Sequence, residues 1–161
     1  QAQLCRLLAR AAGSAGMAGG QAIDLASVGE RLSERQLRDM HELKTGALLQ
    51  GSVMMGAACG NLIQAEKAAL ENYGAAMGLA FQVVDDILDV TSDSATLGKT
   101  AGKDALQDKP TYVSILGLER SRAHAQELLA RALAALDGSG LSHDRTQALR
   151  ALADMVVNRA H

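Results

Sequence analysis

Three carboxylates stand in the run Asp85-Asp86-Ile87-Leu88-Asp89. Around them Met77, Leu79, Phe81, Val83, Val84, Ile87, Leu88 and Val90 leave almost no polar side to a helix spanning about Asn72 to Val90. A helix apolar nearly all round is a buried one. At steps of three and four residues, Gly78, Gln82, Asp85 and Asp89 fall on one line with Asp86 beside it, the one polar stripe this helix has. Ionised carboxylates in such surroundings are costly unless they are paired, protonated or bound to metal. The donors are hard oxygens, with no His or Cys within reach along the helix, which favours Mg²⁺ over Zn²⁺. Mg²⁺ keeps several waters and binds through one or two carboxylates plus phosphate oxygens, so a phosphorylated ligand is the natural third party. The competing reading is a helix whose aspartates face solvent or pair with lysines, because a bare DDxxD recurs by chance.

Closely packed helices must hold that stripe in place. The 161 residues suffice for one domain and are 48% hydrophobic, yet they hold one Phe, two Tyr, no Trp and a single Pro. Ala, Leu, Met and Gly dominate instead, which favours helices over a sheet. The net charge of -2 gives no sign of a nucleic-acid surface. Cys5 and Cys59 match no metal or redox spacing, so they are predicted to be two core thiols of a reducing, cytoplasmic protein. No apolar run is long enough to span a bilayer, and no signal-peptide pattern opens the chain. The first Met is Met17 and Gln1 already lies in a helical pattern, so the expectation is a piece of a longer protein.

Three helices are predicted to bring polar groups toward one place. After a short helical pattern at Leu4, Leu7 and Leu8, the glycines Gly13, Gly16, Gly19 and Gly20 signal close backbone approach. Met17, Gln21, Asp24 and Val28 then form one stripe. Ser33 with Gln36 reads as a capping box opening a long helix on which Leu37, Met40, Lys44, Ala47, Leu48 and Gly51 share a face. Lys44 is thereby predicted to point inward, with Thr45-Gly46 able to bend the helix and free carbonyl oxygens; a lysine snorkelling to water is the alternative. That helix runs on through Val53 to Ala58, breaks near Gly60-Asn61, and gives way to the aspartate helix. The segment from Thr91 to Pro110 carries Lys99, Lys103 and Lys109 among glycines, either a phosphate cover or a solvated loop. Helices from Thr111 to Leu136 and from about Asp144 to Arg159 close the chain around the turn Gly138-Ser139-Gly140. Converging polar faces in a helical bundle make a metal or ligand site.

These residues also resemble a known family. Gly78-Leu79-Ala80-Phe81-Gln82-Val83-Val84-Asp85-Asp86-Ile87-Leu88-Asp89 is similar to the second aspartate-rich motif of the trans-type polyprenyl diphosphate synthases. Gly20-Gln21-Ala22-Ile23-Asp24-Leu25 resembles their GQxxDL element and Lys44-Thr45-Gly46 their KT pair. Leu97-Gly98-Lys99 and Lys109-Pro110-Thr111-Tyr112 resemble their GK and KxTY elements. The order of the four elements matches, and the resemblance extends to an ending, Ala153-Asp154 through Asn158-Arg159, like that of bacterial short-chain members. Family members also carry a first aspartate-rich motif followed by paired arginines, whereas this chain holds one adjacent Asp pair and no adjacent Arg pair.

The resemblance implies an all-α helical bundle of the isoprenoid synthase type, with residues 1–161 as the C-terminal part of its single domain. It implies a prenyltransferase: an allylic diphosphate ionises, isopentenyl diphosphate attacks the carbocation, and a proton leaves, farnesyl diphosphate being the expected product. Mg²⁺, with Mn²⁺ able to stand in, would hold the diphosphate with Asp85 as a direct ligand, while Asp86 and Asp89 would bind through or orient metal-bound water. Lys44 and Lys99 would contact the diphosphate, and Lys109 would support the loop closed over it. Gln82 and the oxygens near Thr45 would face the cation, and Gln21 and Asp24 would support these groups from behind. A homodimer is implied, with the Gly13 to Gly20 helix as a contact. These residues alone are expected not to turn over. Three alternatives stay open: a non-catalytic partner subunit of a heteromeric synthase, a terpene cyclase, against which the GK and KxTY lysines argue, and a purely structural bundle.

Overall fold

The computed structural model describes residues 1–91 and 109–159. Helices α1 (Ala2–Ala12), α2 (Met17–Ala26) and α3 (Glu34–His41) are followed without a break by a π-helix, Glu42–Gly46, which runs directly into α4 (Ala47–Ala58). Then come α5 (Gln64–Thr91), α6 (Tyr112–Leu116), α7 (Leu118–Asp137) and α8 (His143–Val157). No strand occurs among the described residues, so the all-α expectation holds. The Gly98-Lys99 element lies outside the described residues.

The long helix α5 is the axis of the bundle, packed against α4, the π-helix, α7 and α8. Tyr73, Met77, Leu79, Ala80, Val83, Val84, Ile87 and Leu88 are all buried, as an all-round apolar helix should be. They meet Leu128, Ala132 and Leu136 of α7, and the Tyr73 hydroxyl donates to the Leu149 carbonyl of α8 at 2.7 Å. The predicted capping box is formed: Ser33 Oγ accepts from Gln36 N, and Gln36 Oε1 accepts from Ser33 N.

The predicted bend at Thr45-Gly46 takes the form of the π-helix. Helices press on it from two sides. A Cβ placed on Gly20 of α2 would lie 2.1 Å from the Lys44 backbone nitrogen, and one on Gly78 of α5 would lie 2.5 Å from Gly46 Cα. The expected close approach is therefore real, and it lies within this chain. Short π-helices widen the turn and disturb the i to i−4 ladder, which suits a backbone squeezed between two neighbours.

Two expectations fail. The single helix from Thr111 to Leu136 is two, because Gly117 at φ 80° and ψ 159° takes a backbone conformation that side-chain-bearing residues avoid. Cys5 and Cys59 are exposed rather than buried: Cys5 lies on the outer side of α1, and Cys59 is the residue that ends α4.

Candidate functional site

Between Ala76 and Asp89 of α5, the residues that keep access to the surface are Phe81, Gln82, Asp85 and Asp89. The polar stripe is thus open along one edge of an otherwise enclosed helix. Asp86, beside it, is 3% exposed. The three aspartates are consequently of two kinds, a pair one turn apart at the open edge and a third turned into the protein.

The π-helix supplies the facing groups. Lys44 points inward as predicted, and its Nζ lies 2.8 Å from Asp24 Oδ2 in a pair whose side chains are 27% and 9% exposed. Asp24 of the expected support pair is therefore in contact with the lysine. Gln21 is not: it lies exposed, and Met17 and Val28 of the same predicted stripe are also open to solvent. A stripe of mixed polar and apolar residues does not say which side of a short helix is inner. Gly20 decides it here, because only the glycine edge can approach the π-helix backbone.

A chain of hydrogen bonds crosses from this segment to the aspartates. Thr45 Oγ1 donates to Gln82 Oε1 at 3.1 Å, Gln82 Nε2 donates to Asp86 Oδ1 at 3.2 Å, and the Tyr112 backbone N–H donates to Asp86 Oδ2 at 2.8 Å. Lys109, half-buried, precedes Tyr112 by three residues, so the same chain reaches the second lysine-bearing element. Under these bonds lies His41, 4% exposed, stacked on the Tyr112 ring at 5.9 Å between centroids, with neither ring nitrogen hydrogen-bonded among the described residues. Burial, assisted by the Lys44 charge and opposed by that of Asp24, lowers its pKa to about 4, so the ring is neutral at physiological pH. Burial likewise pushes the Tyr112 phenol up.

Asp85 holds a cation already. The Arg159 guanidinium forms an ion pair with Asp85 Oδ1 and lies over the Phe81 ring, 4.9 Å from its centroid. Sequence reasoning assigned roles to neither Arg159 nor His41: the ion pair joins residues 74 apart along the chain, and a lone His in a helix carries no signal of its own. Among the described residues no three Asp, Glu, His or Cys side chains converge tightly enough to cage a metal. The arrangement suits an ion that takes one or two carboxylates and draws its other oxygens from ligand and water. A concavity of about 490 Å³ lies elsewhere, between α1 and the α3–α4 run, lined by Leu7, Arg10, Asp39, Glu42 and Gln50. It shares no residue with the aspartate stripe, and burial and hydrogen bonding at the stripe are the better guide to chemistry.

Residues 1–150 match the family model described as Polyprenyl synthetase. The chain is 52% identical over 130 residues to a probable farnesyl diphosphate synthase of Bradyrhizobium diazoefficiens, covering 78% of this chain and 39% of that protein. It is 44% identical over 153 residues to the farnesyl diphosphate synthase of Escherichia coli, covering 94% and 51%. Among solved structures it resembles an FPP/GFPP synthase from Zymomonas mobilis, with a TM-score of 0.80 and 34% identity over 96% of this chain and 50% of that one. It also resembles a geranyltransferase from Helicobacter pylori complexed with magnesium and isoprenyl diphosphate, with a TM-score of 0.76 and 35% identity over 98% and 49%. The chain thus spans about half the length, or less, of these relatives.

Proposed function

The chain belongs to the polyprenyl synthetase family, and from that premise we propose that it carries one half of a Mg²⁺-dependent trans-prenyltransferase site. The whole protein would condense an allylic diphosphate with isopentenyl diphosphate, giving a short-chain product, farnesyl diphosphate above others. The observation that carries this reading is the Thr45–Gln82 hydrogen bond. It sets Lys44 and Thr45 of the π-helix against the aspartate edge of α5, the juxtaposition a metal-held diphosphate needs.

The donor set fits the metal. Asp85 and Asp89 offer hard oxygens one turn apart at the open edge, and Asp85 already takes the cationic Arg159. Bound there, Mg²⁺ supplies Lewis-acid stabilisation of the negative charge that collects on a departing diphosphate; Mn²⁺ would serve the same end. The chain's own groups do the rest. Lys44, held by Asp24, adds a fixed positive charge toward the diphosphate, joined by Lys109 and by Lys99, which lies outside the described residues. Thr45 and Gln82, each restrained by the other, keep their oxygens in one place where an allylic cation would gather. The apolar residues flanking the stripe limit water at that cation. A cytoplasmic homodimer completes the proposal.

Calorimetric titration of Mg²⁺ with inorganic diphosphate tests the site. The unaltered chain should bind, and Asp85→Asn should bind about tenfold more weakly or worse, as expected when a charged ligand to the ion becomes neutral. Equal heats from the two proteins would sink the metal assignment. These 161 residues hold one adjacent Asp pair, so condensation of geranyl diphosphate with isopentenyl diphosphate by them alone should be undetectable. Measurable product would refute that part.

A further inference from the structure

Asp86 stands apart from its neighbours in the aspartate run. It is 3% exposed, whereas the Asp85 side chain keeps 43% of its surface open. Its Oδ2 accepts the Tyr112 backbone N–H at 2.8 Å, and its Oδ1 accepts from Gln82 Nε2 at 3.2 Å. Tyr112 is the first residue of α6, and the N–H of such a residue has no carbonyl to bond within its own helix. The Thr111–Ser114 capping box serves the N–H groups of Thr111 and Ser114 and leaves that of Tyr112 to Asp86. A carboxylate accepting a buried backbone N–H at a helix start makes a charge-assisted bond, roughly twice as strong as a neutral one. On the other side Gln82 is held the right way round: its amide oxygen takes the Thr45 hydroxyl, so its amide hydrogens face Asp86.

We infer that Asp86 is a positioning residue that pins the start of α6 to α5, and so fixes where Lys109 stands relative to Asp85 and Asp89. The run Asp85-Asp86-Ile87-Leu88-Asp89 offers all three aspartates to one metal-binding motif; burial and partners divide them. Two ride the open edge. The third ties the chain, as it re-enters through Lys109-Pro110-Thr111, to the helix that carries the other two.

Amide hydrogen exchange followed by NMR in the metal-free chain tests this without any bound ion. Asp86→Ala should speed exchange at the Tyr112 amide by about 10- to 100-fold, the range for losing a hydrogen bond to a charged group. Asp86→Asn, which keeps a neutral acceptor, should give a smaller rise of roughly 3- to 10-fold and carries the test if Asp86→Ala does not fold. The Leu128 amide of α7 should move by no more than about twofold in the more conservative variant, since separated sites are nearly independent. A Tyr112 rise no larger than that at Leu128 would mark a merely structural residue and overturn the inference. A second arm rests on the proposed metal site. With Mg²⁺ and inorganic diphosphate, Asp86→Asn should stay within about threefold of the unaltered chain while Asp85→Asn falls tenfold or more. Equal losses would return Asp86 to the metal and overturn the inference. No binding by the unaltered chain would count against the proposed site, and the exchange result would decide the role of Asp86.

Discussion

His41 makes the fold sensitive to acid. Its pKa lies near 4 in the folded protein against an ordinary 6.5, chiefly because the ring is buried and secondarily because Lys44 is near; Asp24 opposes both. The folded state therefore binds a proton on this ring less readily than the unfolded chain does. Stability contributed by the neutral ring is fully present above pH 6.5, declines as the pH falls toward 4, and levels off below that. At about 1.36 kcal/mol per pH unit, the gap corresponds to roughly 3 kcal/mol, a large fraction of the ~5–15 kcal/mol typical of a domain. Replacing the ring by an apolar side chain removes this dependence while retaining contact with Tyr112. Urea unfolding followed by circular dichroism at pH 7.5, 5.5 and 4.0 should show the unaltered chain losing roughly 3 kcal/mol more than His41→Leu between the extremes. Carboxylates titrate in both proteins and cancel in the difference. Parallel stability curves, or an imidazole resonance of His41 titrating near its ordinary value, would refute the reasoning.

Four further substitutions have outcomes that follow from packing and pairing. Gly78→Ala would drive a methyl to 2.5 Å from Gly46 Cα, and should cost about 3 kcal/mol or more, lowering the Tm by roughly 6–12 °C. Gly56→Ala, where a Cβ meets nothing within 4 Å, should instead raise stability by about 0.5–1 kcal/mol through helix propensity, and a thermal melt of both checks the contrast. Gly117→Ala should destabilise by about 1–3 kcal/mol, measured by urea unfolding, because that backbone conformation is essentially reserved for glycine. Arg159→Gln frees Asp85 from its guanidinium, so the affinity for Mg²⁺ with inorganic diphosphate should rise by about two- to fivefold, the worth of a partly exposed pair; a fall on calorimetry would show that Arg159 assists binding.

The fold was legible where periodicity and caps agree. The all-round apolar length of α5, the Ser33 box and the turn at Gly138 are local patterns with local causes, and each is found where expected. Lys44 pointing inward was legible too, because it shares a face with Leu37 and Met40, which are buried. What could not be read depends on partners distant in the chain. Nothing near Gln21 tells that it faces outward, since the deciding contact is Gly20 against a backbone 24 residues on. Nothing near Cys5 or Cys59 tells that they sit at the edge of the packing. The division of the aspartates was hidden for the same reason: the Tyr112 N–H that separates Asp86 from Asp85 belongs to another helix.

Two of the glycines acquire a physical reason at this site. A lysine and a threonine must be presented from inside a bundle without leaving their backbone groups stranded, and the π-helix does so by widening one turn. A widened turn occupies more room, so the neighbours must give way. Gly20 and Gly78 do that by having no side chain at the two points of contact, which brings α2 and α5 to the backbone of the π-helix itself. Close approach in turn lets Thr45 reach Gln82 and Lys44 reach Asp24 directly. Had either glycine carried even a methyl group, the helices would separate by an ångström or more and both bonds would lengthen past useful range. The glycines at these two contacts and the position of the polar groups are thus one fact: the site is where α2 and α5 meet the backbone of the π-helix.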